Sequence, residues 1–123
     1  MEASSLSLGP PINVATFFKN QHIKNTSPKT SRECTFVGTQ GQIFFLYSSD
    51  EDGLYKIEIN IANAWRELAD DTVEAGRLTI IDIPFFIPNA RLVFEAKAAP
   101  TVFSAEAYGY PVVYRKQIQA DRY

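Results

Sequence analysis

The chain holds one histidine, one cysteine and one methionine, so the side chains able to act as base or nucleophile are few. His22 sits in a polar stretch between Lys19 and Lys24. A catalytic imidazole needs a nucleophile beside it or an acid to orient it, and no Gly-x-Ser-x-Gly elbow supplies a serine. Cys34 follows Arg32 and Glu33 and leads into Thr35-Phe36-Val37. A thiolate there would draw on Arg32, whereas a lone cysteine in such a run reads as a small buried hydrophobe. Asp50-Glu51-Asp52-Gly53 has the acid density of a Ca²⁺ loop. The twelfth position counted from Asp50 is Ile61 rather than a carboxylate, so the EF-hand pattern fails. Asp70-Asp71 is a second acidic pair that could join it. Glu58, Glu95 and Glu106 fall on the outward positions of alternating segments. Two facing carboxylates suit glycoside hydrolysis; cross-strand pairing with Lys56, Arg91 or Lys97 is the plainer use. Phosphate-cradling glycine loops and zinc spacings are absent. The expectation is a protein with no catalytic residue, no metal and no cofactor, and not an enzyme.

The elements that would position such groups are built from abundant packing material. Of 123 residues 46% are hydrophobic, including nine Phe, six Tyr and one Trp. That suffices for one core and one domain. The formal net charge of -2 argues against a nucleic-acid partner, which would call for a basic domain. Charge is unevenly placed. Residues 1–47 carry Lys19, Lys24, Lys29 and Arg32 against Glu2 and Glu33, while residues 48–82 carry three bases and nine acids. Such asymmetry suits self-association or docking on an oppositely charged protein surface. No apolar run approaches the ~20 residues that span a bilayer, so no membrane is expected. The start Met1-Glu2-Ala3-Ser4-Ser5 has no secretory pattern, and a single cysteine fits a reducing cytoplasm.

Residues 1–11 read as an extended arm. Leu6 and Leu8 share one side of it, and Pro10 and Pro11 withhold amide donors. Ile12–Lys19 reads as a strand with Ile12, Val14, Thr16 and Phe18 on one face. Asn20–Arg32 reads as a long polar loop with Lys24, Lys29 and Arg32 and no acid. Glu33–Gly38 and Gln42–Tyr47 read as strands joined by a hairpin at Gly38–Gly41. The run Ile43–Tyr47 is apolar on both faces, as in a strand covered on both sides. In Leu54–Ile61, Tyr55, Ile57, Ile59 and Ile61 alternate with polar residues, which gives a half-buried strand. Ile61–Asp71 fits either a short amphipathic helix or a strand returning from a turn at Ala62-Asn63; its length favours the strand. Arg77–Ile83, Arg91–Lys97 and Thr101–Tyr110 complete the strands, with Val112–Arg115 as a further candidate. Phe85-Phe86-Ile87, between Pro84 and Pro88, reads as an apolar connector on the core or an interface. Tyr108, Tyr110 and Tyr114 form a late aromatic group, suited to a subunit interface or to stacking on sugars.

Eight or so short strands without a strong helix give an all-β sandwich or barrel. The succession Tyr55–Ile61, Trp65–Leu68, Gly76–Pro84, Arg91–Lys97 and Phe103–Gly109 resembles the jelly-roll domain of tailed-phage capsid decoration (cement) proteins. The resemblance covers roughly residues 54–110. It implies an all-β, jelly-roll-like antiparallel β-sandwich over residues 12–123 with an extended N-terminal arm. It also implies a trimer on the outer surface of a phage head, made in the host cytoplasm, whose partners are itself and a major capsid protein. On this reading Leu6, Leu8, Pro10 and Pro11 of the arm, with Lys19, Lys24, Lys29 and Arg32, dock on the shell. Phe85, Phe86, Ile87, Tyr108 and Tyr110 form subunit contacts. The alternative is a carbohydrate- or receptor-binding module of a tail or fibre.

Overall fold

The computed structural model describes residues 10–36 and 38–111. Leu6, Leu8, Tyr114 and the strand expected at Val112–Arg115 lie outside the described residues. Nine strands follow in order: β1 (Ile12–Ile23), β2 (Lys29–Thr30), β3 (Cys34–Thr35), β4 (Thr39–Ser49), β5 (Gly53–Ile61), β6 (Ala64–Val73), β7 (Thr79–Ile83), β8 (Asn89–Ala96) and β9 (Thr101–Pro111). No helix occurs among the described residues.

One sheet has the order β1-β9-β4-β7 and the other β2-β8-β5-β6, with the short β3 also on β8. Every pairing is antiparallel. Counting β2 and β3 as one interrupted edge gives four strand positions per sheet, arranged as the paired Greek keys of a jelly roll. The chain is a jelly-roll-like antiparallel β-sandwich.

Period-two alternation drives the burial. Leu92, Phe94 and Ala96 of β8, and Phe103, Ala105 and Ala107 of β9, all face the core. Small alanines on β9 leave room for rings from its neighbours. Phe94 lies nearly parallel to Phe103, with centroids 3.8 Å apart, and this stack joins the two sheets. Phe18 meets Phe103 edge-on at 5.3 Å. Tyr47 of β4 contacts Tyr55 of β5 at 4.2 Å, a second bridge between sheets. Tyr47 donates to Asp71 Oδ2 at 3.4 Å. The Tyr55 hydroxyl is buried with no hydrogen-bond partner among the described residues. Burial first, then the neighbouring Tyr47 hydroxyl, pushes its pKa far above the ordinary tyrosine range.

Four sequence expectations are corrected. The inward face of β1 is Ala15 and Phe17, joined by Phe18 and Ile23, while Ile12 is exposed. Register shifts at Asn13/Ala15, Thr16/Phe18 and Phe18/Gln21 change which residues face inward. Residues 33–47 do not form a hairpin: β3 pairs with β8, and β4 with β9 and β7. Phe36 is buried, its N–H donates to Pro88 O, and Gly38 with φ 93° turns the chain toward the other sheet. The long polar loop is shorter than expected, because β1 runs on to Ile23 and Lys29–Thr30 pairs with Phe94 and Val93. The fourth correction concerns β4. Ile43, Phe45 and Tyr47 are buried, but Phe44 and Leu46 lie half-exposed on the outer face, so the strand is covered on one side only.

The ambiguous segment is a strand. β5 and β6 are joined by a two-residue turn in which Ala62 and Asn63 both have positive φ, 55° and 64°. Tyr55 and Ile57 are buried as the alternation requires, whereas Ile61 at the turn is exposed.

Gly53 tests the packing most sharply. A Cβ there would meet Glu95 O and Phe94 Cε1, each at 2.7 Å. At Gly109 the nearest atom is the flexible Ile43 Cδ1 at 3.0 Å. Gly53→Ala is expected to destabilise by about 1–3 kcal/mol and Gly109→Ala by well under half of that, measured by urea unfolding. Equal losses would contradict the close approach of β5 to the Phe94 ring.

Candidate functional site

The sparse reactive groups do not converge. His22 is exposed on β1 opposite Val102, and Cys34 is buried on β3 opposite Ala90. Burial pushes the Cys34 thiol up, against the opposing pull of Arg32. Glu58 and Glu95 lie on the outer face of the β2-β8-β5-β6 sheet, and Glu106 on the outer face of the other. Glu58 accepts from Arg91 Nε at 2.7 Å, and Arg91 also covers the Trp65 ring at 4.1 Å. Glu106 accepts from Tyr108 Oη at 3.0 Å, a bond that holds the phenol protonated above its usual range. Asp52 caps the β6–β7 turn by accepting from Ala75 N at 2.8 Å. Among the described residues no three His, Cys, Asp or Glu side chains are placed to hold a metal.

What does converge is a surface. Register places Tyr108 opposite Phe44, which lies opposite Asp82. Glu106, Leu46 and Ile80 make the adjacent row. Phe44 meets Tyr110 edge-on at 6.1 Å. Leu78 and Ile80 extend the patch to the β7 edge at 61% and 59% exposure. The outer face of the β1-β9-β4-β7 sheet is thus aromatic at one end. Toward the other it carries a shallow trough of ≈ 230 Å³ lined by Lys19, Asn20, Ser48, Ser104, Glu106 and Leu46, among others.

The expected contact residues divide over the molecule. Tyr108 and Tyr110 lie on this face. Phe85 and Phe86 are 51% and 47% exposed at the end of the sandwich where β1 begins, while Ile87 is buried and anchors their loop. Pro10 and Pro11, both exposed, lie at that same end. Lys24 follows Ile23 at the opposite end, separated by the eight steps from Thr101 to Gly109 on β9, about 27 Å. Pro10 and Pro11 therefore stand at the opposite end of β1 from Lys24.

No protein-family model matches the chain, and no curated protein matches it significantly. Among solved structures it is similar to the PBSX exported protein XepA, with 17% identity and a TM-score of 0.65. That match covers 92% of this chain and 44% of XepA, so the chain spans less than half the length of that protein. Weaker likenesses are to the tobacco streak virus coat protein (8% identity, TM-score 0.47, 85% of this chain and 90% of that one) and to a protein described as a CBM4 (12%, 0.38, 91% and 84%). At 17% identity the XepA likeness establishes the fold.

Half-exposed Phe44 and Leu46 contribute little to the core that lies beneath them. Phe44→Thr with Leu46→Thr, which places β-branched residues on the strand, is expected to change unfolding free energy by under about 1.5 kcal/mol in urea unfolding. A larger loss would show that these side chains serve the fold.

Proposed function

We propose that the chain is a structural subunit of a phage-type particle, a decoration protein that assembles symmetrically on the head surface and stabilises the shell. The observation that carries this reading is the uncovered apolar face of the central strand β4 with its neighbours Tyr108, Tyr110 and Ile80. A contiguous apolar patch of this kind marks an interaction surface, and Tyr and Phe are enriched in subunit contacts. In the proposed oligomer, a trimer as the sequence resemblance implies, this face turns toward the symmetry axis. The end bearing Pro10, Pro11, Phe85 and Phe86 meets the major capsid protein, and bridging neighbouring capsid subunits stabilises the shell by mass action.

The trough favours a second reading, a carbohydrate-binding module, because its polar lining shares one face with Tyr108, whose hydroxyl donates to the lining residue Glu106. A glycan array separates the two: specific sugar binding lost in Tyr108→Ala would contradict the scaffold reading. Under the decoration reading, the full chain is expected to sediment with empty heads of its particle, and a chain lacking residues 1–11 at least tenfold more weakly. Equal binding of both would contradict docking by the arm end.

A further inference from the structure

The two long edges of the sandwich carry opposite charge. Along the β1, β2 and β3 edge lie Lys19, Lys24, Lys29 and Arg32, with Glu33 the one acid between residues 19 and 35. Along the β6 and β7 edge, residues 66–82 hold Glu67, Asp70, Asp71, Glu74 and Asp82 against Arg66 and Arg77. The three ion pairs among the described residues leave this imbalance standing. They join Lys56 to Glu67, Arg77 to Glu74 and Arg91 to Glu58. None uses a base of the first edge, and none uses Asp70 or Asp71. Lys29 is held only by neutral groups, Asn25 Oδ1 and the Ser27 carbonyl and hydroxyl.

Register then sets the height of these charges. Lys29 lies opposite Phe94, Phe94 opposite Tyr55, and Tyr55 opposite Asp71. The next row runs Thr30, Val93, Lys56, Asp70. A base therefore starts the row that an acid ends, about 14 Å away across three strand spacings. Rotation about an axis parallel to the strands preserves height along that axis. Two copies so related bring Lys29 of one level with Asp71 of the next.

We propose that copies of this chain associate head to tail, the basic β1–β3 edge of one against the acidic β6–β7 edge of its neighbour. Resting on the self-assembly reading above, this specifies its lateral contact. The contact is heterologous, and it closes into a ring when the rotation per copy divides the circle. Exposed Leu78 and Ile80 lie on the acidic side and supply apolar area beside the charges. The register shifts of β1 keep its backbone irregular, so the contact is made by side chains rather than by one sheet continued through the ring.

The test uses the full chain, with circular dichroism to confirm folding and sedimentation velocity to read mass. Wild type is expected to be oligomeric at low salt and to dissociate as NaCl rises from roughly 0.05 to 0.5 M. Lys24→Glu with Lys29→Glu, and separately Asp70→Lys with Glu74→Lys, should each weaken association at least tenfold. The combined four-fold variant, with both edges reversed, should recover the wild-type mass. Folded edge variants that keep wild-type mass, or a four-fold variant that stays monomeric, would overturn the head-to-tail contact and leave the self-assembly reading intact. A monomeric wild type would overturn both.

Discussion

Phe94 on β8 and Phe103 on β9 lie face to face, and the rest of the molecule is arranged around that stack. It joins the two sheets at the second strand of each. Gly53 lets β5 run close under Glu95 and the Phe94 ring, and the alanines of β9 admit neighbouring rings without a void. Tyr47 against Tyr55 repeats the bridge one strand further along. Removing a buried ring of this kind costs about 3–5 kcal/mol, a large share of a small domain's stability. With the inner faces committed in this way, whatever the protein does must be done by its outer faces, edges and ends.

Those outer surfaces are where the chain departs from an ordinary sandwich. A central strand of an open antiparallel sheet usually alternates apolar-in with polar-out. β4 instead shows Phe44 and Leu46 outward, beside Tyr108, Tyr110 and Ile80. The opposite sheet presents a charged face, with Arg91 held between Glu58 and the Trp65 ring. The two sheets thus present outer faces of different chemistry.

Much of the fold was legible because alternation is a local property. β5, β8 and β9 declare their inward residues in sequence, and the turn at Ala62-Asn63 was readable as one of two choices. β1 was not, because its register shifts depend on β9, which lies some eighty residues away. The pairing of Cys34–Thr35 with β8 rather than β4 was likewise invisible, since glycines at 38 and 41 serve a crossover and a bulge as readily as a hairpin. Of the candidate contacts, Tyr108, Tyr110, Phe85 and Phe86 were legible as surplus aromatics. Phe44 and Leu46 are not legible in this way, because an apolar run looks the same whether or not its second face is covered by the chain itself. The matching heights of Lys29 and Asp71 follow only from register across four strands, which no local pattern carries.

Edge-to-edge assembly in a fixed register, as proposed, sets the bases of one copy against the acids of the next. Zero-length carbodiimide cross-linking of a mixture of unlabelled and ¹⁵N-labelled chains, analysed by mass spectrometry, tests it most directly. Mixed-isotope cross-links joining Lys29 or Lys24 of one copy to Asp70, Asp71 or Glu74 of another are expected. Cross-links confined within single copies, such as Lys56 to Glu67, would contradict it.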